Sequence, residues 1–222
     1  MHRSTALARS LAALLALAPA LALAQASPAT QRPYAPAPAY GPQREAYGPQ
    51  RDTWYVGFGL GSGFGSGVYG GQRIDLGDIY TGGSTPVSLQ FEIGATLRPD
   101  LLLGLDLRAF RHQASGPYDV GGGVTVNDPA IQVTQALAMM TWFPARQGLY
   151  LRGGLGLAQY HEDGFGSASG VSVLAGVGYA MWMGQSFNMS VGLDVSAQGY
   201  GDPANLPSST RYGELSVGFH WY

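Results

Sequence analysis

The sequence predicts an all-β chain, an eight-stranded antiparallel up-and-down transmembrane β-barrel over residues 53–222. Three observations predict it. Eight segments alternate apolar residues with small or polar ones at period two, which sorts the two kinds onto opposite faces of a strand. The connections between them alternate short and long, as in barrels with short periplasmic turns and longer outer loops. No α-helical span interrupts the series. A closed sheet with apolar side chains outside and polar groups inside leaves no backbone group unpaired in lipid.

Residues 1–24 read as a signal peptide. His2, Arg3 and Arg9 form a basic start, Leu11 to Ala24 is apolar, and Ala22-Leu23-Ala24 is an A-x-A cleavage site before Gln25. The uncharged run is shorter than the ~20 residues a spanning helix needs. Residues 25–52 read as a disordered periplasmic linker rich in Pro, Ala, Tyr and Gln, a composition that cannot bury a core. They hold a near-exact repeat, Tyr40-Gly41-Pro42-Gln43-Arg44-Glu45 and Tyr47-Gly48-Pro49-Gln50-Arg51-Asp52. The repeat serves as a tether or as a tag for a periplasmic partner.

The first barrel strand places Trp54, Val56, Phe58 and Leu60 outward, with Tyr55 and a glycine series from Gly57 to Gly63 inward. The second sets Val87, Leu89, Phe91, Ile93, Ala95 and Leu97 against Ser88, Gln90, Glu92, Gly94, Thr96 and Arg98. The third sets Leu101, Leu103, Leu105, Leu107 and Ala109 against Gly104, Asp106, Arg108 and Phe110. In the fourth, the bulky set Ile131, Val133, Leu137, Met139 and Phe143 is expected outward, opposite Gln132, Thr134, Ala136 and Ala138. The fifth sets Leu149, Leu151, Leu155 and Leu157 against Tyr150, Arg152, Gly154 and Gly156. The sixth sets Val171, Val173, Ala175, Val177 and Tyr179 against Ser172, Gly176 and Gly178. The seventh sets Phe187, Met189, Val191, Leu193 and Val195 against Asn188, Ser190, Asp194 and Ser196. The eighth sets Leu215, Val217, Phe219 and Trp221 against Glu214, Ser216, Gly218 and His220.

Pro99-Asp100, the Pro144 to Gly148 turn and Gly184-Gln185 are the short connections; residues 65–86, 111–130, 161–170 and 199–210 are the long ones. This places both barrel ends on the periplasmic side. Trp54, Trp142, Trp182 and Trp221 then fall near that rim as an aromatic girdle, with Tyr160, Tyr200 and Tyr212 near the other. By parity, Trp142 and Trp182 fall on the inward set.

Apart from four histidines, the chain's 12 basic side chains are all arginine, and the net charge is −2. That balance offers no basic patch for nucleic acid. With no cysteine, an exported fold must be stable without disulfides.

Trp54-Tyr55-Val56-Gly57-Phe58-Gly59-Leu60-Gly61 resembles the first strand of small outer-membrane β-barrel proteins. Leu137 to Tyr160, with Trp142-Phe143-Pro144, Leu149-Tyr150-Leu151-Arg152 and Gly153-Gly154-Leu155-Gly156, resembles a central hairpin of the same group. The resemblance is to the OmpA-type transmembrane domain and to OmpX-like barrels, over residues 53–222. It implies residence in the cell outer membrane among outer-membrane lipid, insertion by the barrel assembly machinery, and a monomer. Two departures stand out. Trp221, not the terminal Tyr222, carries the apolar phase of the last strand. The sequence also leaves no stretch after the barrel for the peptidoglycan-binding domain that OmpA-type proteins carry.

The inward face is expected to hold an ionic set: Glu92, Asp106, Arg108, Arg152, Asp194 and Glu214. A tight hairpin about Pro99-Asp100 places Glu92 across from Asp106 and Arg108, and Asp194 is expected beside Glu214. Inside a narrow barrel such charges must be paired or hydrated. The set therefore reads as a plug of salt bridges, with a gated ion path or an acid–base pair as the rival reading. The glycines from Gly57 to Gly67 keep a strict period of two and make room for facing side chains; they lack the G-x-G-x-x-G spacing of a phosphate loop. His112, His161 and His220 lie on separate segments, and His161-Glu162-Asp163 is a weak cation-binding candidate. No H-E-x-x-H or G-x-S-x-G spacing occurs. No cofactor, metal or catalytic residue is expected. The expected role is structural or adhesin-like, with outer loops meeting an extracellular ligand. The alternatives are a narrow channel or small-molecule transport barrel, and then a lipid-modifying enzyme.

Overall fold

The structure, a computed structural model, describes residue 51 and residues 53–79, 85–119, 123, 125–146, 148–201 and 206–222. The expected signal peptide and all of the expected linker but Arg51 lie outside the described residues. Eight long strands form the barrel: β1 (Trp54–Tyr69), β3 (Val87–Arg98), β4 (Leu101–Gln113), β7 (Ala130–Trp142), β8 (Leu149–Glu162), β9 (Gly166–Trp182), β10 (Phe187–Tyr200) and β11 (Ser209–Trp221). Between them, on the long-loop side, lie β2 (Gln72–Asp75), the single-turn helix α1 (Leu76–Ile79), and the hairpin strands β5 (Pro117–Asp119) and β6 (Thr125–Asn127).

Each barrel strand pairs antiparallel with the next, and β11 returns to β1 to close the sheet. The closing seam runs in register from Val56 opposite Trp221 to Val68 opposite Ser209. Closure removes the two free edges that an open sheet would expose to lipid. Strands of 12 to 17 residues exceed the ~9–11 that a tilted strand needs to cross the hydrocarbon. The surplus lies mostly on the long-loop side. There β1 runs past β3 to pair Ser66–Tyr69 with β2.

The outward faces form an exposed apolar belt that includes Phe58, Leu60, Leu89, Leu105, Leu155, Val173 and Leu193. Two expectations about this wall are overturned. In β7 the parity is inverted: Ile131, Val133, Leu137, Met139 and Phe143 are buried in the lumen, while Met140 is 53% and Trp142 43% exposed. The neighbours decide the facing. Leu137 pairs with Asp106 and Gln135 with Arg108 across β4, so all four point inward. The sequence around Ala136–Trp142 is apolar at both parities, so bulk alone chose the wrong face. The third outer connection is not long either. β8 and β9 stay paired up to Glu162 opposite Gly166, leaving only Asp163-Gly164-Phe165. The Ser, Gly and Ala residues after Phe165 look like loop because this part of the strand has water on its outer face. Positive φ at Gly164 (87°) and Gly166 (108°) turns the chain.

Candidate functional site

Inside, the barrel is layered. At the short-turn end, Tyr55, Leu102, Phe143, Tyr150 and Ala180 pack as a floor, with Tyr222 against them. Tyr222 is held there by its backbone N–H, which donates to the Ser186 carbonyl at 2.9 Å. The Trp182 ring lies tilted against Tyr222, with ring centroids 5.4 Å apart. Trp182 is therefore a lumen residue of the floor and no member of an outer girdle, consistent with its inward parity. Trp54, Trp142 and Trp221 do stand exposed on the outer wall at this end.

The middle layer gathers the charged residues. Arg152 grips Asp194 through both Nε (2.7 Å to Oδ1) and Nη2, and reaches Glu92 Oε1 through Nη1 at 2.8 Å. Arg108 Nε meets Asp106 Oδ2 at 2.8 Å, and its Nη1 meets Asp194 Oδ2 at 2.7 Å. The same Nη1 lies 3.5 Å from Glu214 Oε2. All six residues of the charged set thus converge, with Asp194 bridging the two guanidiniums. Glu92 stands opposite Asp106, and Asp194 opposite Glu214, in the strand register. All six are buried. The fork of arginine suits this task, since planar donors engage carboxylates bidentately.

Three further side chains, read as inward-facing but not counted in the ionic set from the sequence, belong to the layer. Ser88 Oγ donates to Glu214 Oε1 at 2.7 Å. Gln90 Nε2 donates to Glu92, and to Asp106 Oδ2 at 3.2 Å. His220 Nε2 lies 3.3 Å from Glu92 Oε2. Their signal in the sequence was parity alone: each occupies an inward position on a strand that carries, or pairs with one that carries, a charged lumen residue. The glycines make the space. A Cβ on Gly57 would strike the His220 ring, one on Gly59 would crowd Gln90, and one on Gly176 would strike the Asp194 carboxylate.

Above the charges, Gln198 Nε2 donates to Ser196 Oγ at 2.8 Å and its Oε1 accepts from Thr210 at 2.8 Å. Ser172 Oγ donates to Gln135 Oε1 at 3.0 Å. The roof is aromatic. Tyr160, Tyr200 and Tyr212 are buried inside with Phe110, Ile131 and Val133, and Leu76 and Leu206 fold onto them from the outer connections. These tyrosines therefore do not form a second lipid-facing girdle. Tyr160 donates to Glu162 Oε2 at 2.7 Å, while the Tyr69 and Tyr160 hydroxyls sit 2.6 Å apart. A hydroxyl inside a barrel finds partners there that the headgroup region would not fix.

An apolar wall around a paired polar interior, closed without edges, is the arrangement that crosses lipid as strands. The chain is an eight-stranded transmembrane β-barrel.

His161 gains a local constellation at the long-loop end of the barrel. Its Nδ1 lies 2.9 Å from Ser167 Oγ and its Nε2 3.2 Å from Asp163 Oδ1. The trio arises because His161 and Ser167 are cross-strand partners beside the Asp163 turn. It sits in the open, with His161 and Asp163 nearly half exposed, where water competes for each contact and a developing oxyanion would not be shielded. Glu162 points the other way, into the lumen, so His161-Glu162-Asp163 does not converge as a cation site.

No protein-family model and no curated protein matches this sequence. Solved barrels are similar in shape. Ail, the attachment invasion locus protein of Yersinia pestis, was solved in complex with the heparin analogue sucrose octasulfate. It is 12% identical over 76% of this chain and 99% of its own, with a TM-score of 0.45. Neisserial surface protein A is 19% identical over 76% of this chain and 96% of its own, with a TM-score of 0.46. OprG from Pseudomonas aeruginosa is 15% identical over 77% of this chain and 96% of its own, with a TM-score of 0.39. The likeness is one of barrel shape.

Proposed function

We propose that this barrel is a closed membrane scaffold whose work is done at its outer face, as a surface-interaction protein, rather than a passage for solutes. The observation that carries the reading is the filling of the lumen at every level: the Tyr55–Phe143–Tyr150 floor, the Arg108–Arg152–Asp194 layer, and the Tyr160–Tyr200–Tyr212 roof. Among the described residues, side chains pack and pair across a narrow lumen, and such filling favours a plugged barrel over a wet path. A rigid scaffold of this kind supports recognition by the segments it displays. The β5–β6 hairpin stands apart from the barrel sheet as its own two-stranded ladder, pairing Pro117 with Asn127 and Asp119 with Thr125. It can therefore be removed without breaking a barrel strand.

The test deletes residues 117–127 and compares the deletion with a full knockout. The deletion should still assemble and show heat-modifiable migration, yet lose binding of whole cells to host or abiotic surfaces as fully as the knockout does. A deletion that binds like the parent, beside a knockout whose defect is detergent sensitivity, would assign the protein to envelope integrity instead.

A further inference from the structure

The floor of the barrel contains a side chain that no barrel strand supplies. Arg51 precedes β1, and only 5% of it is exposed. Its guanidinium carbon lies 3.5 Å from the centre of the Phe143 ring, 5.1 Å from that of Trp182 and 5.7 Å from that of Tyr222. Its Nη1 donates to the Arg146 carbonyl at 3.0 Å and to the Pro99 carbonyl at 3.4 Å. These carbonyls belong to the β7–β8 and β3–β4 turns. Three aromatic rings and two turn carbonyls thus surround one planar cation. A flat, weakly hydrated cation that stacks on the rings and donates in its plane suits such a cage better than a compact, strongly hydrated lysine ammonium. Burial works against the charge of Arg51, and Tyr222 beside it works in its favour.

The occupant has a duplicate. Arg51 is the fifth residue of Tyr47-Gly48-Pro49-Gln50-Arg51-Asp52, and Arg44 is the fifth residue of Tyr40-Gly41-Pro42-Gln43-Arg44-Glu45. The two arginines share their preceding four residues and a following acid. Arg32, between Gln31 and Pro33, has neither the Tyr-Gly-Pro context nor the acid. We propose that the short-turn mouth of the barrel is a guanidinium-binding cage that takes the arginine of either repeat, so that the barrel grips its own N-terminal tether at one of two positions. Both ligands are on the same chain, so exchange is intramolecular and each meets the cage at high effective concentration. Seating Arg44 would put seven more residues on the barrel side of the grip. That shortens the reach of the tether by up to about 25 Å of extended chain. The cage is thereby a two-length clasp between the membrane and whatever holds the N-terminal segment.

The test uses the full chain refolded in detergent, with Trp54, Trp142 and Trp221 changed to Phe so that Trp182 alone reports on the cage by acrylamide quenching. Folding is scored by heat-modifiable migration. Arg44→Ala should leave Trp182 as shielded as in the parent. Arg51→Ala should raise quenching only slightly, because Arg44 takes the site. The double variant Arg44→Ala/Arg51→Ala should raise it several-fold. A single Arg51→Ala as quenchable as the double, or a double as shielded as the parent, overturns the proposal. Should the double variant not fold, the cysteine-free chain allows a second measurement. Gln43→Cys with Ala145→Cys, joined by a short thiol cross-linker, should react more in the Arg51→Ala background than with Arg51 present. Equal yields in the two backgrounds would also overturn it.

Discussion

Arg152 and Asp194 meet through two guanidinium nitrogens in the middle of the lumen, and what surrounds them sets the consequence of breaking the pair. Arg152 reaches two carboxylates from β8, and Asp194 answers two arginines from β10. Removing one partner of a buried pair strands the other in a poor solvent. Arg152→Ala and Arg108→Ala should each destabilise the barrel by about 3–5 kcal/mol, measured by urea unfolding of liposome-inserted protein. Arg152→Lys should recover only part of the loss, since a single ammonium cannot hold Asp194 through two parallel bonds. The glycines carry a complementary prediction. A methyl at Gly176 would land on the Asp194 carboxylate, so Gly176→Ala should cost about 1–3 kcal/mol by overpacking. At Gly153 the nearest atom to a new Cβ is the Leu174 carbonyl oxygen at 3.7 Å, an ordinary contact. Gly153→Ala should leave the unfolding midpoint essentially unchanged. Equal losses at the two glycines would remove the steric account of why this lumen is lined with glycine.

At the scale of the strand, facing is set by partners as much as by a strand's own letters. β3, β4, β8, β9, β10 and β11 alternate cleanly, and their faces are legible in the sequence. The charged lumen positions were legible for the same reason, since Glu92, Asp106, Arg108, Arg152, Asp194 and Glu214 each interrupt an apolar alternation. β7 was not legible, because Ala136, Leu137, Ala138, Met139 and Met140 offer no polar residue to mark a face. Only pairing Gln135 with Arg108 and Leu137 with Asp106 settles it. Nor did the sequence show β2 and α1, where β2 is set by pairing with β1, or β5 and β6, three-residue strands too short to display a period of two. The inverted β7 is directly testable. Single cysteines at Thr134, Ala136, Ala138 and Met140, carrying a fluorophore, should be quenched by brominated lipid tails according to depth. Cysteines at Gln135, Leu137 and Met139 should not. The reverse pattern would restore the facing expected from bulk. On β4, Leu105 lies in the outward belt, so Leu105→Arg should cost about 2–4 kcal/mol near the midplane.

For the molecule as a whole, the filled lumen separates a scaffold from a channel, and conductance decides between them. The charged layer alone would be a weak barrier if its arginines moved, because ions cross narrow pores along rings of charge. Here the arginines are fixed at several points each, and the layer lies between an aromatic floor and an aromatic roof. Opening a path would require breaking buried ion pairs and displacing Tyr222 or Tyr160 together, which a modest voltage does not supply. Purified wild-type protein in planar bilayers should therefore show no steady conductance. Arg51→Ala should remain closed as well, because the Arg108–Arg152–Asp194 layer stands behind the floor. The double variant Arg108→Ala/Asp194→Ala, which removes a cation and an anion from the same layer, is the one expected to give brief openings, provided heat-modifiable migration shows that it folds. Steady wild-type conductance that survives intact floor and roof residues would mean that the lumen rearranges in the membrane. The transport reading would then replace the scaffold reading.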